Sequence, residues 1–163
     1  MGMLFSGSEM VNIALGIERN GVVYYESLAK STTDTSLKDT YNYLANMERK
    51  HMETFQKMLD SVGKYQPTYA GETEEEYELY LRALIDSVVF PDDKAAKEMA
   101  NKASSEAEAL HIGIIAEKDS ILFYSEMRNL VRELDCHIID AIVGEEKAHL
   151  RQLSQLKAKL QKA

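Results

Sequence analysis

Apolar residues in this chain recur at intervals of three and four and almost never alternate singly, so the pattern predicts helices and no sheet. The first long helix is expected over residues 9–30, with Ser8 as its N-cap and the polar stretch Ser31 to Thr35 ending it. A second is expected over residues 36–62, stopped by Gly63, which can take the left-handed conformation that closes helix C-termini. Residues 64–104 have a different texture and hold both prolines, Pro67 and Pro91. Within them, Thr73 followed by Glu76 reads as a capping box, and Tyr77, Leu81, Leu84, Ile85 and Val88 make one apolar face, which predicts a short helix. A second short helix is expected after Asp93. Ser105 with Glu108, another capping box, opens a third long helix over residues 105–130, and a fourth occupies residues 135–160. Few breakers separate these last two; the boundary is placed near Arg132. Together the elements predict a single all-α domain over residues 1–163. It is a four-helix bundle whose two short hairpin links flank one long crossover connection containing short helices.

The two hairpins are one pattern written twice. Glu18 and Tyr25 recur 99 residues later as Glu117 and Tyr124, and Val22, Val23 and Tyr24 recur as Ile121, Leu122 and Phe123. Glu48 and His51 recur 98 residues later as Glu146 and His149. The four glutamates stand where the helical pattern calls for apolar residues. At about 100° per residue, positions four and seven away share a face with the central one. For Glu18 these are Val11, Ala14, Val22 and Tyr25; for Glu48 they are Tyr41, Leu44, Met52 and Phe55. For Glu117 they are Leu110, Gly113, Ile121 and Tyr124; for Glu146 they are Ile139, Ile142, Leu150 and Leu153. Both histidines lie on the same inward stripes. Each long helix therefore sends one carboxylate into the core, and two of them add an imidazole.

Energetics limit what such a set can be. A buried unpaired ion costs several kcal/mol, and clustered carboxylates repel one another. A whole domain has about 5–15 kcal/mol of net stability. No matching set of lysines or arginines stands on the four stripes. Two divalent cations would neutralise four carboxylates and take the histidines as neutral nitrogen ligands; the alternative is a metal-free polar network of the same six residues. Oxygen and imidazole donors without thiolate favour iron or manganese, with zinc also possible. A Glu-x-x-His pair alone says little. Glu108 and His111 form a third copy, but Glu108 lies nine residues before Glu117, about half a turn away in angle, which turns it outward. His137 lies nine before Glu146 and is read as a surface residue on the same ground. Tyr25 and Tyr124 suit either of two roles: partners of a ligating carboxylate that could pass a proton or electron, or core aromatics whose hydroxyls reach the bundle edge. Gly21 and Ser120, three residues after their glutamates, either leave room for a small ligand or serve tight helix packing.

Composition narrows the partners. A net charge of -8 over 163 residues argues against nucleic acid and anionic membrane surfaces, both of which call for a basic footprint. No apolar run approaches bilayer length, and Met1 to Ser8 lacks a signal-peptide pattern. The single cysteine, Cys136, excludes an internal disulfide and any Cys-x-x-Cys pair, so a reducing, cytoplasmic setting is expected. Cys136 itself is expected to be a packing residue or an exposed thiol, and the acidic run Glu72 to Glu78 a solvated helix start.

Glu18 with Tyr25, Glu48-x-x-His51, Glu117 with Tyr124, and Glu146-x-x-His149 together resemble the rubrerythrin-like branch of the ferritin-like superfamily. The resemblance covers the hairpins; residues 64–104 are longer and more helical than in a standard rubrerythrin. It implies a di-iron site and reduction of hydrogen peroxide, and, at the level of the family, a homodimer. Two departures bear on that activity. Rubrerythrins usually carry a four-cysteine rubredoxin domain after the bundle, which this sequence lacks, so electrons are expected from a separate donor protein. They also carry a further glutamate three residues after the first on the third helix, where this chain has Ser120. Three functions therefore stand as expectations: a di-iron redox enzyme reducing peroxide or dioxygen, a protein that oxidises and handles iron, and a non-enzymatic bundle stabilised by its metal.

Overall fold

The computed structural model describes residues 6–62 and 73–162. The expected stop at Gly63, Pro67, the first residue of the acidic run (Glu72) and residues 1–5 at the start of the chain lie outside these described residues. Among the described residues the chain forms α1 (Gly7–Ser31), α2 (Thr35–Val62), α3 (Glu74–Asp86), α4 (Asp93–Lys102), α5 (Glu106–Met127) and α6 (Cys136–Lys162), with a 3-10 turn at Glu133–Asp135 and no strand. This is an all-α, ferritin-like four-helix bundle, α1–α2 and α5–α6 being its hairpins and α3 and α4 its crossover. No helix among the described residues is long and apolar enough to cross a membrane.

The helix ends refine the sequence reading. Ser6, not Ser8, caps α1: its hydroxyl accepts from the Glu9 N–H at 3.2 Å, and the Glu9 carboxylate accepts from the Ser6 N–H at 2.7 Å. Of the two serines only Ser6 has a glutamate three residues on, which completes the reciprocal box. Thr73 and Glu76 form the full box at the start of α3, and Glu75 and Glu76 stand exposed in its first turn. At α5 the box is half made. Ser105 accepts from the Glu108 N–H at 3.1 Å, while the Glu108 carboxylate takes the Ser104 N–H at 2.7 Å and the Ser104 hydroxyl at 2.5 Å. The helix ends at Met127 instead of reaching residue 130, because Asn129 and Leu130 bond back only three residues, to Glu126 and Met127. Those tighter turns bury Leu130 and Val131 at the end of the bundle. Arg132 is extended, with ψ of 147°, and separates α5 from the 3-10 turn that leads into α6.

α1 packs along α2 and α5 along α6, while α4 lies against α1 and α3 touches α5, so the crossover straddles both hairpins. The apolar core divides into two clusters. One is built around Met10, Phe55, Phe123, Met127 and Ile139, the other around Tyr24, Tyr41, Leu44, Leu110 and Leu153. The inward glutamates and histidines form a layer between them. Burying polar groups between two dry halves is costly unless something pairs with them, and it raises the strength of every charge interaction there.

Candidate metal centre

Glu18 comes from α1, Glu48 and His51 from α2, Glu117 from α5, and Glu146 and His149 from α6; none is more than 5% exposed. The structure brings all six together in two overlapping groups: Glu18, Glu48, His51 and Glu146, and Glu48, Glu117, Glu146 and His149. Within each group one donor atom from every residue lies within 4.8 Å of the others. Glu48 and Glu146 belong to both groups, while Glu18 with His51 and Glu117 with His149 occupy opposite ends. The internal repeat of the sequence thus becomes a two-fold arrangement of donors.

His51 Nδ1 lies 2.8 Å from Glu146 Oε1, 3.4 Å from Glu18 Oε2 and 3.5 Å from Glu48 Oε2. His149 Nδ1 lies 3.5 Å from Glu117 Oε2 and from Glu146 Oε2. These approaches do not have hydrogen-bond geometry. Glu18 Oε2, Glu117 Oε2, both oxygens of Glu146 and the Nδ1 atoms of both histidines are buried without a hydrogen-bond partner. Orphaned buried acceptors on this scale are rare in folded proteins. Four carboxylate groups and two imidazole nitrogens converging without thiolate match the donor chemistry of iron or manganese, so the residues present fit a pair of such ions.

Protonation reflects the crowding. Burial, then repulsion from Glu18, pushes Glu48 well above the usual carboxylate range. Burial and Glu146 raise Glu117 to about 8. Glu146 is held below the ordinary value: burial and the charge of Glu48 oppose ionisation, but Glu117 and the two imidazoles outweigh them. Burial disfavours the charged form of His149, yet Glu117 and Glu146 raise it to about 11, and His51 is raised further by Glu146, Glu18 and Glu48. The cluster thus holds protons that cations would displace.

The hydroxyls of Tyr25 and Tyr124 both meet carboxylates of the cluster instead of the bundle edge. Each crosses to the other hairpin: the Tyr25 hydroxyl donates to Glu117 Oε1 and the Tyr124 hydroxyl to Glu18 Oε1. Both are essentially fully buried, and burial together with the nearby glutamates holds both phenols well above their usual pKa. A Cβ on Gly21 would sit 3.3 Å from Glu48 Cγ, so the glycine makes room for that glutamate. Ser120 is buried, and it lines with Gly21 a cavity of about 20 Å³ beside Glu18, Glu48 and Glu117. Such a space holds a molecule of only about one or two heavy atoms. Glu108, His111 and His137 are exposed, and half-buried Cys136 packs beside the cluster of Met10, Phe55 and Phe123 with its thiol 3.4 Å from the Arg128 carbonyl.

Sequence reasoning missed Glu145. Its half-exposed carboxylate lies 2.7 Å from His51 Nε2, which directs the other ring nitrogen toward the cluster. The repeat conceals it, because the position 98 residues earlier is Met47. His149 accordingly lacks a carboxylate on Nε2, and the ring of Tyr43 stands edge-on to it at 6.2 Å. The two ends of the cluster are therefore chemically unequal.

Comparison with known proteins bears on the family and the fold. The sequence model of the family described as Rubrerythrin matches residues 9–157. The fold is similar to the crystal structure of a candidate ferritin-like diiron-carboxylate protein from Thermotoga maritima. That match has a TM-score of 0.71 and 28% identity and covers 97% of this chain and 98% of the other. No curated protein matches the chain.

Proposed function

This chain belongs to the rubrerythrin family, and on that premise we propose that it is a di-iron redox protein that reduces hydrogen peroxide or dioxygen with electrons from a separate donor protein. The observation that carries the reading is the set of buried, unpartnered donor atoms on Glu18, Glu117, Glu146, His51 and His149. Glu18, Glu48, His51 and Glu146 would hold one ion and Glu48, Glu117, Glu146 and His149 the other, Glu48 and Glu146 serving both groups. Two bound irons would supply the two electrons and the Lewis acidity that polarises an O–O bond. The rest falls to the chain's own groups. The two apolar halves of the core keep bulk water from the carboxylates. Tyr25 and Tyr124 hold their phenolic protons against Glu117 and Glu18, away from solvent, and Tyr25 also lines the cavity. Glu145, half-exposed, fixes the orientation of His51 and links it to the surface. Reduction of one hydrogen peroxide to two waters consumes two electrons and two protons, and these hydroxyls and solvent at Glu145 are the proton sources at hand.

Rapid mixing of the di-ferrous protein with hydrogen peroxide tests this. The expected result is oxidation of two irons per peroxide, faster than free ferrous iron under the same conditions, with steady turnover once a reductant is added. Loaded protein that reacts no faster than the free ion would rule the reading out.

A further inference from the structure

Asn20 and Asp119 occupy equivalent places in the two halves, 99 residues apart, each two residues after the inward glutamate of its helix. Both reach the same short piece of the crossover. Asn20 Nδ2 donates to the Phe90 carbonyl at 2.9 Å, and the Val89 N–H donates to Asp119 Oδ2 at 2.8 Å. A peptide segment passing between two facing helices presents a carbonyl to one and an N–H to the other. An amide on α1 and a carboxylate on α5 match those two polarities. The Asn20 side chain is buried at 8% exposure, so its bond is shielded from water and specific to this position of the crossover. Phe90 is also buried and packs on the Tyr24 ring at 4.6 Å, and the Tyr24 hydroxyl donates to the Ala109 carbonyl.

Residues 88–90 lie over the small cavity whose other walls include Glu18, Glu48 and Glu117. The residue next to each clamp, Gly21 beside Asn20 and Ser120 beside Asp119, is small, and both line the same space. Two small residues thus widen the cavity, and an apolar stretch of crossover forms the wall across from them.

We propose that residues 88–90 form a strap that roofs the ligand cavity of the metal centre. Asn20 and Asp119 are the positioning residues that hold it down. The strap limits the incoming ligand to the size of dioxygen or hydrogen peroxide and excludes organic hydroperoxides, a substrate limit that rests on the function proposed above. With about 20 Å³ beneath it, the strap leaves no place for an alkyl group unless it lifts.

Two readouts test the strap. In the metal-free protein, hydrogen exchange at the Val89 amide is expected to quicken about tenfold or more in Asp119→Ala, the effect of one lost hydrogen bond. Asp119→Asn, which keeps an acceptor oxygen, should restore the protection, and amides in mid-α2 and mid-α6 should not change. In the iron-loaded protein, hydrogen peroxide is expected to react at least about tenfold faster than tert-butyl hydroperoxide, with the gap narrowing in Asp119→Ala and in Val88→Gly as the roof loosens. Unchanged Val89 exchange in Asp119→Ala would overturn the clamp, and equal rates for both peroxides in the unaltered protein would overturn the size limit. If hydrogen peroxide does not oxidise the loaded protein at all, the proposed function falls, and the strap stands or falls on the exchange data.

Discussion

Stripped of metal, the protein is expected to lose stability as the pH rises from about 5 to 8, whereas the iron-loaded form should hold its melting temperature over that interval. The direction follows from the buried carboxylates. Glu48 and Glu117 keep their protons in the folded state well above the ordinary value of 4.5, Glu117 up to about 8, while the unfolded chain releases them near 4.5. The folded state therefore binds more protons across this window, and stability falls as the pH rises through it. His149 acts in the same direction: its folded value is about 11 against 6.5 unfolded, so its contribution is complete below about 6.5 and fades above. Glu146 is depressed and works the other way, but only as the pH falls below about 4.5, outside the interval. A tenfold difference in proton affinity between folded and unfolded chain is worth about 1.4 kcal/mol, so one or two such groups reach several kcal/mol. For a domain of this size that is a fall of roughly 10 °C in melting temperature. Cations displace these protons and cancel the dependence. Thermal melts at the two pH values, with and without chelator, check it; a metal-free protein equally stable at both would refute the account of a crowded acidic cluster.

Substituting either shared carboxylate is expected to cost both metals, and substituting a terminal one only its own. Glu48 and Glu146 stand in both donor groups, so Glu48→Ala or Glu146→Ala removes a donor from each. Glu18→Ala leaves the group of Glu48, Glu117, Glu146 and His149 intact, and Glu117→Ala leaves the other. Elemental analysis should find about two ions per chain in the unaltered protein, about one in the terminal variants, and near none in the shared ones. Stability of the metal-free proteins should move the opposite way. Taking one carboxylate from the cluster relieves its repulsion and desolvation, so Glu48→Gln without metal is expected to be more stable at pH 8 than the unaltered chain. A structural hydrogen-bond network predicts the reverse, with every variant destabilised. Both shared variants retaining two ions would defeat the assignment of Glu48 and Glu146 to both ions.

What the sequence discloses and what it hides have a physical division. Helices rotate by a fixed angle per residue, so Glu18, Glu48, Glu117 and Glu146 could be placed inward from spacing alone, and the 99- and 98-residue repeat tied them into one cluster. The same angle put Glu108, His111 and His137 outside, where they are. Contacts that depend on how distant segments meet left no such periodic trace. Asn20 and Asp119 stand about 200° around their helices from the inward glutamates, where spacing gives no reason to single them out until the crossover lies across them. Glu145 is half-exposed on the rim of α6, and only the approach of α2 sets His51 against it. The choice between Ser6 and Ser8 as cap was decidable from the sequence, since only Ser6 has the glutamate that closes the box.

Anomalous diffraction from crystals of the iron-reconstituted protein, recorded on both sides of the iron absorption edge, tests the central claim most directly. The expected result is two iron peaks, one among Glu18, Glu48, His51 and Glu146 and one among Glu48, Glu117, Glu146 and His149. Iron absent from this cluster after reconstitution, or found only at exposed groups such as Glu108 and His111, would contradict it and leave the six residues as a metal-free polar core.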